Sequence, residues 1–435
     1  MVTRIAAVLA AGTTIVLVAA VPGAAAGSPP RPGRPGPDGA GSGERPERRS
    51  GGAPAGPVVV APPRYTSTTR LAPGVVFKTF ETSGSGGPVL GDLLEVDLRA
   101  PGVRVGLLRP PAVASRRTVS RMADAQHALA GVNGDFFNIS ETRPGVPATG
   151  AASGPEIDDG EPRKAAVPDG QRFGPALPPG TSGEDVIGVG ADRRGRVARL
   201  RLSGTISAGD TTIPLRGLNQ YALPDDAAGA FTSAWGTVSR RRAVCGSDTR
   251  RDDPCDTDTA EVTVRSGVVV KVSDTVGEGA IPDGTTVLVG RGKAAGRLRE
   301  LAEGRRVGVR YRFTKAEGLR FAVGGFAILR GGEPLDGLDP RGPAPRTAAG
   351  VGDGGRRFYL LVVDGRSAKS RGLTVAEMAG LLEETGSDDG VNLDGGGSTT
   401  FAARRQEEPA VTVRNAPSDG SERAVANGIG VFTGS

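Results

Sequence analysis

From Arg64 onward the apolar residues come in short runs, each closed within a few positions by Gly, Pro or Asp. Such punctuation offers the chain strands far more often than helices. Val75–Phe80, Leu93–Leu98, Val103–Leu108, Val186–Val189, Val197–Leu202, Ala260–Val264, Val268–Val272, Thr286–Val289 and Val307–Phe313 are the expected strands. Helical spacing occurs at Val119–His127, Ala294–Leu301 and Val375–Glu384. The fold class that follows is α+β, a strand-rich mixed sheet with few helices. Polar stretches at Ser140–Asp185 and Gly331–Pro345 are expected to be long loops, where functional groups concentrate.

The first 63 residues follow another pattern. Arg4, the apolar run Ile5–Val21 and Ala24-Ala25-Ala26 stand in the order of a secretory signal and its cleavage site, so residues 1–26 are expected to be removed on export. A membrane anchor is the alternative. Residues 27–63 are dominated by Gly and Pro and cannot bury enough apolar surface to offset their ordering entropy. They are expected to be a disordered linker, leaving 64–435 as the folded domain and no membrane span once the signal is cleaved.

The net charge of +6 could suggest a nucleic-acid partner, but residues 1–63 hold six Arg against three acids and so carry half of it. The remainder is close to balanced, which argues against nucleic acid. Cys245 and Cys255 are the only cysteines and bracket a polar loop. In an oxidising compartment this pair is expected to form a disulfide, with a two-Cys metal site as the weaker reading. His127 is the only histidine. That excludes His-rich zinc centres and leaves chemistry to carboxylates, backbone dipoles and arginine. His127 itself falls at the end of an expected helix, where a structural role suffices.

The best-specified unit is Phe358–Thr400. Phe358–Val363 is a continuous apolar strand of the doubly buried kind, ending at Asp364. Thr374 and Glu377 form a capping box, Val375, Met378, Leu381 and Leu382 make the apolar stripe of a helix, and Gly386 is placed to end it. A short strand, Val391–Leu393, then runs into Asp394-Gly395-Gly396-Gly397-Ser398-Thr399. If the two strands are parallel neighbours, Asp364 and Asp394 emerge together at one sheet edge, where ligands of such units bind.

Three successive glycines contribute no packing, and close approach of backbone to a ligand accounts for them as well as a tight exposed turn does. Asn133-Gly134-Asp135-Phe136-Phe137 admits two readings: a hairpin turn, or a continuing strand that sets Asn133 and Asp135 on one face. Gly290-x-Gly292-x-x-Ala295 has the spacing of a dinucleotide loop but no acidic ribose partner, so a plain strand-to-helix turn is favoured. Arg346-Thr347 could grip an anion through the planar guanidinium or be solvated. Ser398 does not sit in a nucleophile elbow, and its only imidazole partner would be His127.

Together these strings resemble the phosphodiester glycosidase family. The similar segments are Gly131-Val132-Asn133-Gly134-Asp135-Phe136-Phe137, Pro345-Arg346-Thr347-Ala348-Ala349-Gly350, Val363-Asp364-Gly365-Arg366, Gly372–Glu377, Asn392–Thr400 and Asn427-Gly428-Ile429. Ala344 stands where that family often has His, and 192–256 matches less well. The resemblance implies an exported hydrolase that cleaves sugar-1-phosphodiester bonds in envelope or extracellular glycans. On it, Asp394, Asp135 and Asp364 are the catalytic candidates, Asp394 or Asp135 being base or nucleophile. Asn133, Arg346, Thr347, Arg366, Gly395, Gly396, Gly397, Ser398 and Thr399 are the candidate substrate contacts. A phosphate leaving group is a weak base, so stabilising its charge matters more than protonating it. No cofactor is required by this chemistry, and no ligand spacing supports a divalent cation. The competing readings are a non-catalytic module that binds envelope polysaccharide and a serine hydrolase using Ser398 and His127. The partner is a glycan or sugar phosphodiester; no oligomeric state follows.

Overall fold

The computed structural model describes residues 60–316 and 318–434. The expected signal, 1–26, and all of the expected linker except 60–63 lie outside the described residues. Val60 is buried near Gly380, and Ala61 donates to the Ser83 carbonyl before Arg64 opens the first strand.

The strands form four sheets. The largest has eight, in the order Arg64–Ala72, Val75–Gly84, Gly87–Asp97, Arg357–Val363, Arg346–Gly352, Asp389–Asn392, Phe326–Arg330 and Glu333–Pro334, every neighbour antiparallel. A five-stranded sheet contains Ala130–Asn133 between Phe401–Ala403 and Gly428–Thr433, and a second holds Leu319–Gly324 beside Asp185–Gly190. A seven-stranded sheet runs from Val268–Ser273 to Gly308–Thr314 and includes Arg201–Ala208 and Thr211–Leu218. The fold is the strand-rich α+β type expected. The helices are α1 (Val119–Ala125), α2 (Lys293–Arg299) and α3 (Val375–Glu384).

Phe358–Val363 shows why a continuous apolar run is needed. Phe358, Leu360 and Val362 enter a core shared with Val132, Phe401, Ile429 and Val431 of the first five-stranded sheet. Tyr359, Leu361 and Val363 enter another core with Met378, Leu381 and Leu382 of α3. The strand is covered on both faces, so neither alternate set can be polar. Phe77 stacks on Phe401 with centroids 5.0 Å apart where the two sheets meet.

The structure changes four local expectations. Arg357–Val363 and Asp389–Asn392 run in the same direction but are not neighbours, because antiparallel Arg346–Gly352 lies between them. Val197–Leu202 is two strands rather than one: Gly195–Arg199 and Arg201–Ala208 belong to different sheets, divided at buried Leu200. The strand ending at Asn133 does not continue, and the chain bends at Asp135. Within Ser140–Asp185, Glu156–Asp158 and Glu161–Lys164 are paired strands, not loop.

The disulfide between Cys245 and Cys255 is formed. Beside it, fully buried Arg242 pairs with Glu141 at 2.6 Å, tying the polar 139–150 segment to the bridged loop. No described helix is long and apolar enough to cross a membrane.

The capping box is present: Glu377 N donates to Thr374 Oγ1 at 3.1 Å, and Thr374 N donates to Glu377 Oε2 at 2.8 Å. The other carboxylate oxygen accepts from the Ser85 amide, so one buried acid fixes both the helix start and the hairpin beside it. Glu377→Ala should therefore lower unfolding free energy by roughly 1–3 kcal/mol, with Glu377→Gln recovering part of it, as read by chemical denaturation.

Candidate functional site

The insertion of Arg346–Gly352 between the two parallel strands determines what meets at their carboxyl ends. Asp364 follows Val363, the ladder partner of Arg346, and Asp394 follows the strand on the other side. From the neighbouring sheet, Asn133 reaches this edge with its side chain completely enclosed. Its Nδ2 donates to the Asp394 carbonyl at 2.6 Å, while its Oδ1 accepts from Thr347 Oγ1 at 2.7 Å and from the Thr400 amide at 3.0 Å. The Asp394 amide donates in turn to the Gly134 carbonyl at 2.8 Å. Asn133, Thr347 and Asp394, expected from three separate strings, are brought into direct contact.

The Asp394 backbone is thus fixed on both sides, but its carboxylate is not. At 1% exposure, neither oxygen meets a donor at hydrogen-bond geometry among the described residues. The Ser398 side chain, Arg423 and the Gly395 amide lie near enough to favour the charged form. Burial outweighs them, and with the charge of Asp135 nearby the Asp394 pKa is pushed up to about 7. Asn392 Oδ1 and Thr399 Oγ1 are likewise buried without a partner. Native interiors rarely leave such atoms unsatisfied, and here three residues of this kind stand along one strand end.

Asp135 has a different environment. Its amide donates to Asn427 Oδ1 at 2.9 Å, and one carboxylate oxygen accepts from the Gly154 amide. Gly154 and Gly324 press so closely on that oxygen that a Cβ at either would lie within 2.9 Å of it. Burial raises its pKa, with the Gly154 amide, Lys164 and Arg172 pulling the other way. Lys164 is fully enclosed and donates from Nζ to the Gly154 and Ala165 carbonyls, each at 2.6 Å. Burial depresses its pKa to about 8 against the pull of Glu156 and Asp135. Asn427 closes the circuit, donating to Glu156 Oε1 at 2.8 Å and accepting from the Gly134 amide through its carbonyl.

The glycine turn is tight for identifiable reasons. A Cβ at Gly395 would lie 2.8 Å from the Pro345 carbonyl, and one at Gly397 would lie 2.1 Å from the Arg423 guanidinium. Gly396 has φ +60° and its amide is committed to the Pro345 carbonyl. Over Gly396 sits the guanidinium of Arg366, itself at φ +59°, exposed and without a hydrogen-bond or ion-pair partner among the described residues. A non-glycine residue held in the left-handed region is often found at a functional site. On the other flank Arg423 reaches Ser398 Oγ at 3.4 Å and pairs with Asp419. Arg346 is turned to structural use: it is buried, and donates to the Leu373 carbonyl at 2.9 Å and the Gly342 carbonyl at 3.0 Å.

Asp364 lies to the side. It accepts from Asn415 Nδ2 at 3.1 Å and the Ala416 amide at 3.0 Å, and burial raises its pKa. Its neighbour Asp92, opposite Val362, is pushed up to about 7 by burial and by the charge of Asp364. Sequence reasoning missed Asp92, Glu156, Lys164 and Arg423. Only Arg423 carried a local signal, four residues before the noticed Asn427-Gly428-Ile429.

His127 sits exposed after α1 at φ 58°, whereas Ser398 is completely buried, and no contact joins them. At the start of α2, Asp226 Oδ1 accepts from the Lys293 amide at 2.9 Å, and a Cβ at Gly292 would lie 2.3 Å from the same oxygen. A carboxylate of the chain itself occupies the place a phosphate would take, which leaves Gly290–Ala295 as a plain turn. Among the described residues no group of three or more His, Cys, Asp or Glu is arranged to hold a metal ion.

Residues 258–432 match the family model described as phosphodiester glycosidase. This bears out the resemblance seen from Pro345 to Ile429, while Gly131–Phe137 lies outside the matched segment. No curated protein matches the chain. Among solved structures, a hypothetical protein from Synechocystis is 20% identical with a TM-score of 0.64, over 83% of this chain and 62% of that one. This chain thus spans about 62% of the length of the Synechocystis protein. A protein from Burkholderia pseudomallei is 19% identical with a TM-score of 0.66, over 88% of this chain and 100% of that one. Likeness at these identities establishes a shared fold. A zebrafish N-acetylglucosamine-1-phosphodiester α-N-acetylglucosaminidase catalytic domain, auto-inhibited by pro-peptide, is 16% identical with a TM-score of 0.41, over 87% of this chain and 89% of that one.

Lys164 acts on both Asp135 and Glu156, and removing it should be costly. Lys164→Met is expected to destabilise the protein by roughly 3–5 kcal/mol. Chemical denaturation of the two proteins side by side would measure the loss.

Proposed function

We propose that this chain, with a matched phosphodiester glycosidase segment over 258–432, is an exported hydrolase of sugar-1-phosphodiester bonds in envelope or extracellular glycans. The observation that carries the reading is the Asp394 carboxylate, buried, unpartnered and poised near neutrality beside a glycine turn flanked by two arginines.

In the proposed reaction Asp394 acts at the anomeric carbon, as base toward water or as nucleophile. The C1–O bond breaks with its electron pair leaving on the phosphomonoester oxygen. Water supplies the new hydroxyl, directly or by hydrolysing a glycosyl-enzyme, and its proton passes to the carboxylate. The leaving phosphate takes its charge stabilisation from Arg366 and Arg423, with Ser398 and Thr399 offering hydroxyls beside them. Thr347 and Asn133 hold Asp394 in place, and Asp135 beside it disfavours its charged form. Asp364 and Arg346 shape the edge. For substrate to enter, Arg423 must turn away from Ser398, a contact of only 3.4 Å. The scheme uses no metal and no cofactor.

The test is a panel of glycosyl-1-phosphodiesters assayed for phosphomonoester and reducing-sugar release. Asp394→Asn should lower kcat by about 10²–10⁴-fold with the fold intact. Full turnover by that variant would overturn the assignment. Polysaccharide binding without any release of reducing sugar would favour the binding-module reading.

The ionised form of Asp394 is the active one, and its pKa of about 7 sets the profile. Activity as kcat/KM should rise with pH through that value. A fall over the same range would make Asp394 the acid instead.

A further inference from the structure

Away from the Asp394 site, the seven-stranded sheet turns one face to solvent. Along Arg201–Ala208, Thr211–Leu218 and Gly308–Thr314 the burial alternates strictly in the region concerned. The residues facing outward are Arg201, Ser203, Thr205 and Ser207, then Thr212, Pro214 and Arg216, then Gly308, Arg310, Arg312 and Thr314. Four are arginine, five carry hydroxyls and none is acidic, on a chain whose folded part is close to charge balance. Solvated sheet faces ordinarily mix both signs.

The arrangement has a regular spacing. Arg312 stands opposite Ser203, Arg310 opposite Thr205, and Thr314 opposite Arg201, while Arg216 is the outward residue next to Leu215, the partner of Gly204. Across the ladder each of Arg201, Arg310 and Arg312 thus faces a hydroxyl residue, and successive outward residues on a strand lie about 6.6 Å apart. Arg216, Arg310 and Arg312 have no ion-pair or side-chain hydrogen-bond partner among the described residues, and Arg201 has only Glu184 at 3.5 Å. Arg201, Ser203, Thr205, Pro214, Arg216 and Thr314 line one depression of about 350 Å³. A second, of about 560 Å³, shares Pro214 and Arg216 with it but also holds Asp225 and Asp226 beside Lys293 and Arg297, Lys293 pairing with Asp226 at 3.1 Å, so the basic character belongs to the first. The first depression and the outward arginines beside it make a basic track.

We propose that this track is a docking site for an extended polyanionic glycan whose repeats are joined by phosphodiesters. Several arginines without acid partners, spread over three strands, fit a polymer better than a single small anion, and the hydroxyls facing them suit sugar or polyol groups. The choice of polymer rests on the hydrolase reading above, whereas the charge and spacing of the track do not. Bound there, a polymer is held at high local concentration on the protein that cuts it.

The test uses a poly(glycerol phosphate) chain, with neutral dextran and glycerol phosphate as controls, in binding titrations at rising salt. The polymer should bind, weaken as salt rises, and outbind both controls. The variant R201S/R216S/R312S should weaken polymer binding at least tenfold, and R201K/R216K/R312K should restore most of it. Turnover of a small glycosyl phosphodiester should be unchanged in both, since none of these residues touches the Asp394 site. Polymer binding unaffected by the serine variant would overturn the proposal and leave the arginines as protection for the Gly308–Thr314 edge. Equal binding of dextran, or of duplex DNA, would overturn the phosphodiester-glycan assignment. Binding is read without turnover and folding by thermal melt, so failure of the hydrolase reading, no turnover of any substrate, is a separate result.

Discussion

The side chain of Asn133 is the joint on which the site depends. It bonds Thr347 at the start of one strand, Thr400 ahead of another, and the carbonyl of Asp394 after a third. These belong to two different sheets, so one enclosed amide fixes the register of their edges as well as the turn between them. Its oxygen accepts two bonds and its nitrogen donates one inside the protein, and a substitute with fewer polar atoms would strand buried donors and acceptors.

That fixed frame permits the opposite condition one residue away. Asp394 has its backbone held by Gly134 and Asn133 while its carboxylate is left unpartnered. An unsatisfied buried acid opposes folding, and it persists because the packing around it is fully determined. The double coverage of Phe358–Val363, by the second sheet on one face and α3 on the other, supplies that rigidity. Asp135 shows the contrasting solution: its carboxylate is gripped by Gly154 and faced by Lys164. Two neighbouring acids therefore differ in environment: one carboxylate is satisfied and the other is not.

Much of this was legible locally. The capping box at Thr374 and Glu377, the helix end at Gly386 and the doubly buried strand are all properties of a few adjacent residues. The Asp394-Gly395-Gly396-Gly397 string announced close backbone approach, although what approaches is Pro345, Arg366 and Arg423. Val197–Leu202 misled because two strands in different sheets share one apolar run, and Leu200 gives no sign of the division. Lys164 and Glu156 sat in a stretch expected to be loop, where a run of mixed charges looks like solvated surface.

The sequence by itself determined the capped helix Val375–Glu384 and the doubly buried strand before Asp364, because periodicity and capping act over a few residues. It also placed Asp394 at a strand end. Which chains stand beside that end was decided only by tertiary structure: Arg346–Gly352 inserted between the two parallel strands, Asn133 arriving from another sheet, Arg423 closing from the far end of the chain. Partnership between residues 261 or 267 positions apart, as for Asn133 with Asp394 and Thr400, leaves no local trace, because it is fixed by packing rather than by chain geometry.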